Sequence, residues 1–155
     1  MARPKPRKWT PKNPEKYVGD SNNIVTRSSW ETLALNFFDE NPSVIYYNSE
    51  DIKIPYFSPI DLKMHNYHPD FLVKLKTKDG NVKTFLVEIK PYIQCRAPVM
   101  SKNKKGYMAE MCTWKVNEAK WTYAKEFCNK MGIEFLILDE YMLGIKKNKR
   151  EDKNG

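Results

Sequence analysis

The segment "YHPDFLVKLKTKDGNVKTFLVEIKP", Tyr67 to Pro91, constrains this chain more than any other stretch. It reads as two strands around a turn, and the length of the turn decides which side chains meet. A two-residue turn at Asp79-Gly80 would set Asp70 opposite Ile89. A three-residue loop, Lys78-Asp79-Gly80 with Gly80 left-handed in a bulge, is another common hairpin form. It pairs Thr77 with Asn81 and, counting back, Asp70 with Glu88. The apolar pattern selects the second register. Phe71, Val73 and Leu75 then share one unbroken face with Phe85, Val87 and Ile89. The other face carries Asp70, Leu72, Lys74 and Lys76 with Val82, Thr84, Leu86, Glu88 and Lys90. A one-residue slip would move a whole strand to the wrong face.

The chosen register opposes two acids. Directly facing residues have Cβ atoms about 4.5–5.5 Å apart, and like charges there repel. A divalent cation resolves that repulsion, since two carboxylates with waters and a substrate phosphate are a usual set for Mg²⁺. Lys90, on the same face, would bind the scissile phosphate or assist the attacking water, as in metal-assisted phosphodiester hydrolysis. Each acid also has a plainer reading: Asp70 as a turn residue after Pro69, Glu88 as an exposed strand-end charge.

Elements flank this hairpin on both sides. "RSSWETLALNFFDENP" predicts a helix with a Ser28/Glu31 capping box. Its stripe would be Trp30, Leu33, Ala34, Phe37 and Phe38, stopped at Asn41-Pro42. The capping box accounts for Glu31. If that helix covers the face of Leu72 and Leu86, Glu31 also reaches the acid pair. Residues 44–48 and 51–57 read as short strands and 58–66 as a loop. Residues 91–113 read as a loop or lid with helical content near the end. Residues 114–132 predict a second helix with Val116, Ala119, Tyr123, Ala124, Phe127 and Met131 on one face and Gly132 as its stop. "IEFLILDE" suits a buried strand joined in parallel through that helical crossover. "EYMLGI" reads as a short closing helix. The fold class is α/β, a mixed sheet flanked by helices in the order α-β-β-β-α-β.

Charge points to the partner. The chain carries a net +8, and its two ends hold the whole excess. Residues 1–16 have six basic residues against Glu15, and residues 146–155 have five against two acids. Such ends suit a polyanion, most simply nucleic acid. The division expected is a basic Pro-rich arm at 1–20 without regular structure, a core at 21–145, and a basic tail at 146–155. Arg3, Lys5, Arg7 and Lys8 of the arm and Lys102, Lys104 and Lys105 would hold the DNA backbone without reading bases. No apolar run approaches the roughly 18–20 residues needed to span a bilayer, so no membrane partner is expected. Cys95, Cys112 and Cys128 form no CxxC and read as buried or idle thiols of a reducing cytoplasm. His65 and His68 read as surface residues, Trp114 and Trp121 as packing, and Lys115 and Lys120 equally as facing the DNA or as a solvated helix face.

The set Glu31, "HPD" ending at Asp70, and Glu88-Ile89-Lys90 resembles the PD-(D/E)XK nuclease superfamily. The segments "RSSWE", "IPYFSPIDLKMHNYHPDFLVKL" and "FLVEIKP" are similar to two of its branches, the tailed-bacteriophage head completion nucleases and the TnsA-type transposon-end nucleases. The resemblance covers nearly the whole chain, and the basic start favours the phage branch. It implies a restriction-endonuclease-like core and a Mg²⁺-dependent DNA endonuclease, with Mn²⁺ able to substitute and exonuclease action as a further activity. It implies Asp70, Glu88 and the Ile89 carbonyl as metal ligands, Lys90 as the catalytic lysine and Glu31 as an accessory acid. It also implies double-stranded DNA as substrate, phage portal or neck proteins as partners, and work in the host cytoplasm during head completion and head–tail joining. The competing readings are a non-catalytic DNA-binding head or neck protein, and a junction-resolving, repair or transposon-end nuclease.

Overall fold

The structure is a computed structural model, and it describes residues 5–49 and 52–147. In chain order, β1 (Arg7–Trp9) pairs antiparallel with β2 (Ile24–Thr26), and α1 (Ser29–Glu40) follows. Ser28 caps α1, its hydroxyl accepting from Glu31 N at 3.1 Å, while the Glu31 carboxylate accepts from Arg27 N at 3.0 Å. β3 (Val44–Ser49) is followed by a separate hairpin of β4 (Ile54–Phe57) and β5 (Met64–Tyr67). β6 (Phe71–Lys76) and β7 (Val82–Ile89) come next, then α2 (Lys104–Met131) and β8 (Glu134–Leu138). The central sheet has the order β3-β6-β7-β8, antiparallel except for the β7–β8 pair. Counting that sheet and its helices alone, the order is helix, three strands, helix, strand: a mixed α/β, restriction-endonuclease-like core.

The β6–β7 register follows from the loop. Phe71 faces Val87 and Leu72 faces Leu86. Gly80 has φ of 85°, the left-handed conformation that a bulged loop demands and glycine adopts without strain. Thr77 N donates to Asn81 O at 2.7 Å to close the loop. The two faces of the sheet then bury against different helices. Phe71, Val73 and Val87 pack with Ala34, Leu35 and Phe38 of α1. Leu86 packs with Trp121, Ala124 and Cys128 of α2 and with Ile54, Tyr56 and Tyr67 of the small hairpin.

Several expectations give way here. Residues 5–20, the described part of the expected arm, are built into the fold rather than left irregular. Trp9 is buried, and its indole N–H donates to Asn36 Oδ1 at 2.9 Å. Asp39 of α1, 1% exposed, accepts from Lys12 N at 2.9 Å, from Asn13 N at 3.2 Å and from the Tyr47 hydroxyl at 2.9 Å. Four prolines discouraged a long strand, but a buried carboxylate gives the segment's free N–H groups a partner. Residues 58–66 are a turn plus the start of β5, not a loop throughout. The buried side of α1 is Ala34, Leu35, Phe38 and Asp39, with Leu33 and Phe37 exposed, so the stripe is rotated from that expected. In α2 the buried positions are Asn117, Trp121, Ala124 and Cys128, and Met131 lies in solvent. α2 starts at Lys104, ten residues before the expected boundary. The closing segment makes hydrogen-bonded turns rather than a helix. Most of the basic tail lies outside the described residues.

Replacing Asp39 by Ala should strip the acceptor from three donors, the buried Tyr47 hydroxyl and the part-buried N–H groups of Lys12 and Asn13. The expected cost is about 2–4 kcal/mol, read as a lower urea midpoint with an unchanged slope.

Candidate active site

Local structure brings the acids together. Asp70 precedes β6, Glu88 is the penultimate residue of β7, and the register puts them side by side at the same end of the sheet. Ile89 N donates to Asp70 Oδ2 at 2.7 Å. The Tyr67 hydroxyl, buried at the end of β5, donates to Glu88 Oε2 at 2.6 Å. Lys90 Nζ lies 3.9 Å from Glu88 Oε1 with its side chain 24% exposed, so the cation is close and still faces the opening.

Asp70, Glu88, Ile89 and Lys90 line an open cleft of about 970 Å³, with Tyr67 behind its wall. Its walls include Glu31, Asp70, Glu88, Ile89 and Lys90, along with Lys5, Arg7 and Arg27. Glu31 arrives by a different route from that expected. α1 covers the face of Phe71, Val73 and Val87, opposite to the face of Leu72 and Leu86. Its first turn nevertheless stands at the sheet's end, where Glu31 lines the cleft and its charge is felt at Asp70.

The electrostatics are those of a site missing positive charge. Burial, then the charge of Glu88, pushes the Asp70 carboxyl up to about 8, while the Ile89 N–H pulls the other way. Burial also raises Glu88, against the Tyr67 hydrogen bond and the charges of Lys90 and Lys120. Lys90 alone therefore does not balance the two carboxylates. Among the described residues no three His, Cys, Asp or Glu side chains converge on one point. The donor set is two carboxylates beside the Ile89 main chain, all hard oxygens. That set fits Mg²⁺, which keeps several waters and takes few protein ligands, and does not resemble an all-protein cage.

The remaining expected contacts divide. Arg7, the first residue of β1, lines the cleft, and so does Lys5, two residues before that strand. Lys8, the next residue on a strand whose side chains alternate, is exposed and does not line it. Lys102, Lys104 and Lys105 stand exposed at the start of α2, away from the cleft walls. Arg3 lies outside the described residues. His65 pairs with Asp61 at 2.6 Å and stacks on Tyr56, and His68 is exposed. Trp121 is core, and Trp114 packs edge-on against it.

Two residues near the site escaped the sequence reading. Tyr67 was hidden because the strand carrying it was read as loop up to Asn66. Lys120, which the sequence leaves equally as facing DNA or solvent, sits 5.8 Å from the ring centres of both Tyr56 and Tyr67. Burial and the nearby Lys90 charge lower its pKa. The only sequence signal was the phase of α2, which Asn117, Trp121 and Ala124 define once Trp121 is taken as core.

Known proteins share this arrangement of segments. Residues 41–140 match the TnsA-like endonuclease N-terminal family, a span that includes Asp70, Glu88 and Lys90. Over 138 residues the chain is 39% identical to the head completion nuclease of Enterobacteria phage T4, covering 86% of this chain and 89% of that protein.

The raised carboxyl pKa has a stability consequence. The folded chain holds a proton on Asp70 that the unfolded chain releases above about 3.8. Stability without metal therefore falls as pH rises from there towards 8. Asp70→Asn keeps an acceptor for Ile89 N and removes that loss. In EDTA the variant should be more stable at pH 8 by at least about 1 kcal/mol, the value of one pKa unit. Urea unfolding should show the gap widening from pH 5 to pH 8; an equal gap at both would contradict the assignment.

Proposed function

The chain belongs to the TnsA-like endonuclease family, and from that premise we propose that it is a Mg²⁺-dependent DNA endonuclease acting in phage head completion. The observation that carries the chemistry is the pairing of half-buried Asp70 with buried Glu88 beside Lys90 in a basic-walled cleft. A protein that only held DNA electrostatically would need the basic walls but not two opposed acids beneath them. The identity to the phage T4 protein over most of both chains supports the biological setting. There the enzyme would process packaged DNA in the host cytoplasm so that filled heads join tails, with portal or neck proteins as neighbours. Among the described residues no helix is long and apolar enough to cross a membrane.

Asp70, Glu88 and the Ile89 carbonyl would hold the cation. When bound, Mg²⁺ supplies Lewis-acid polarisation of the phosphate and acidifies the attacking water. The chain's own residues do the rest. Arg7 on β1, with Lys5 just before the strand, would hold the phosphate backbone and set its register without reading bases. Lys90 offsets the charge that develops on the phosphoryl oxygens, and a compact ammonium suits that role. Glu31, at the mouth of the cleft, would act as an accessory acid that orients water.

Lys90→Ala should fold as wild type and cut at least about 10²-fold more slowly, the scale of removing one electrostatic stabiliser. Asp70→Ala should remove Mg²⁺-dependent cleavage altogether. Closed circular plasmid reads endonucleolytic cutting and end-labelled linear duplex reads exonucleolytic action, each with Mg²⁺, with Mn²⁺ and with EDTA. Undiminished cutting by either purified variant would sink the assignment.

A further inference from the structure

Tyr67 lies at the point where β5 meets the acid pair. It is 4% exposed, and its hydroxyl bonds to one oxygen of Glu88 only, Oε2. Asp70 shows the same pattern, with Oδ2 committed to Ile89 N. Each carboxylate therefore has one oxygen tied to a protein donor and a second outside that bond. On Glu88 the remaining oxygen is Oε1, the one near Lys90.

The Tyr67 hydroxyl is the donor of this bond, because an ionised carboxylate can only accept. From the other side Lys120 Nζ stands 5.8 Å from the Tyr67 ring centre, a cation–π contact that holds the ring. The alternative, that Tyr67 is simply one more aromatic of the α2-side core, accounts for the ring but not for the hydroxyl's aim.

We propose that Tyr67 is a positioning residue that restricts Glu88 to ligation through one oxygen and thereby sets the site's preference for Mg²⁺ over Ca²⁺; this rests on Asp70 and Glu88 being divalent-cation ligands. Ca²⁺ gathers six to eight oxygens and takes carboxylates in bidentate fashion, whereas Mg²⁺ demands octahedral geometry with one oxygen from each carboxylate. A donor locked onto Oε2 penalises the bidentate mode and keeps Oε1 aimed for the octahedral one.

The test is calorimetric titration of MgCl₂ and, separately, CaCl₂ into the full chain stripped with EDTA. Wild type is compared with Tyr67→Phe, which keeps the ring, its packing and the Lys120 contact. In Tyr67→Phe, Mg²⁺ affinity should fall about tenfold, the usual cost of losing a partner behind a metal ligand. Ca²⁺ affinity should hold or rise, so the Ca²⁺ to Mg²⁺ ratio rises about tenfold or more. Equal losses for both ions, or no change in either, would overturn the proposal while leaving the cation site standing. Wild type binding neither ion would overturn the cation site itself, a result visible before any variant is made.

Discussion

The pairing register of β6 and β7 is the constraint on which the rest depends. It is set by the three-residue loop at Lys78–Gly80, where one left-handed glycine adds the residue that shifts the count. That count sends Phe71, Val73 and Val87 to α1, and Leu72 and Leu86 to α2. The same count sets Asp70 beside Glu88. Core and site are thus not separate achievements of the sequence. A slip that separated the acids would also turn both hydrophobic faces over, so the packing energy of the sheet holds the carboxylates at their unfavourable distance.

Much of this was legible in the residues, because strand faces alternate with period two and the loop admits few lengths. The acid pair, the parallel β8 and the two main helices follow from such short-range rules. What was not legible depended on long-range partners. The β1 strand exists because Ile24–Thr26 pairs with it and because Asp39, some 26 residues on, accepts from the backbone at Lys12 and Asn13. Proline content cannot reveal a carboxylate waiting elsewhere. The stripe of α1 was misphased for a related reason, while that of α2 held at Val116, Ala119, Tyr123, Ala124 and Phe127 and failed only at Met131. Hydropathy ranked Leu33, Phe37 and Met131 as core, but the sheet they would need is covered by Leu35, Phe38 and Cys128 instead. Glu31 reached the cleft although the premise for it failed, since a helix start at the end of a sheet can serve either face.

Pinning the N-terminal segment changes how its charge works. A tethered basic arm would raise the local concentration of a polyanion and then lose entropy on ordering. Arg7 on a paired strand is already placed along the cleft rim, so its contact with a phosphate backbone costs little further ordering. The lysines at the start of α2 stand apart from the cleft and carry no acidic residue in the first helical turn to offset them. They sit at the positive end of the helix dipole, a mildly unfavourable place for a cation. That arrangement makes sense as a field acting on a distant anion rather than as a device for stability.

The site itself is built against stability. Two carboxylates are desolvated, opposed, and served by one nearby lysine, and each gives up an oxygen to a donor that could not be spared without freeing it to turn. Hydrophobic residues at 70 and 88 would suit the fold better. What the acids provide is a fixed deficit of positive charge in a basic-walled cleft, with the two free oxygens held in place before any ligand arrives. Preorganisation of that kind moves the cost of assembling the site from the moment of reaction to the moment of folding. The aromatic wall of Tyr67 and Trp121 then has a reason beyond packing. A strained acid pair relaxes by rotating its carboxyl groups, and a buried donor behind each one is the simplest means of forbidding that rotation.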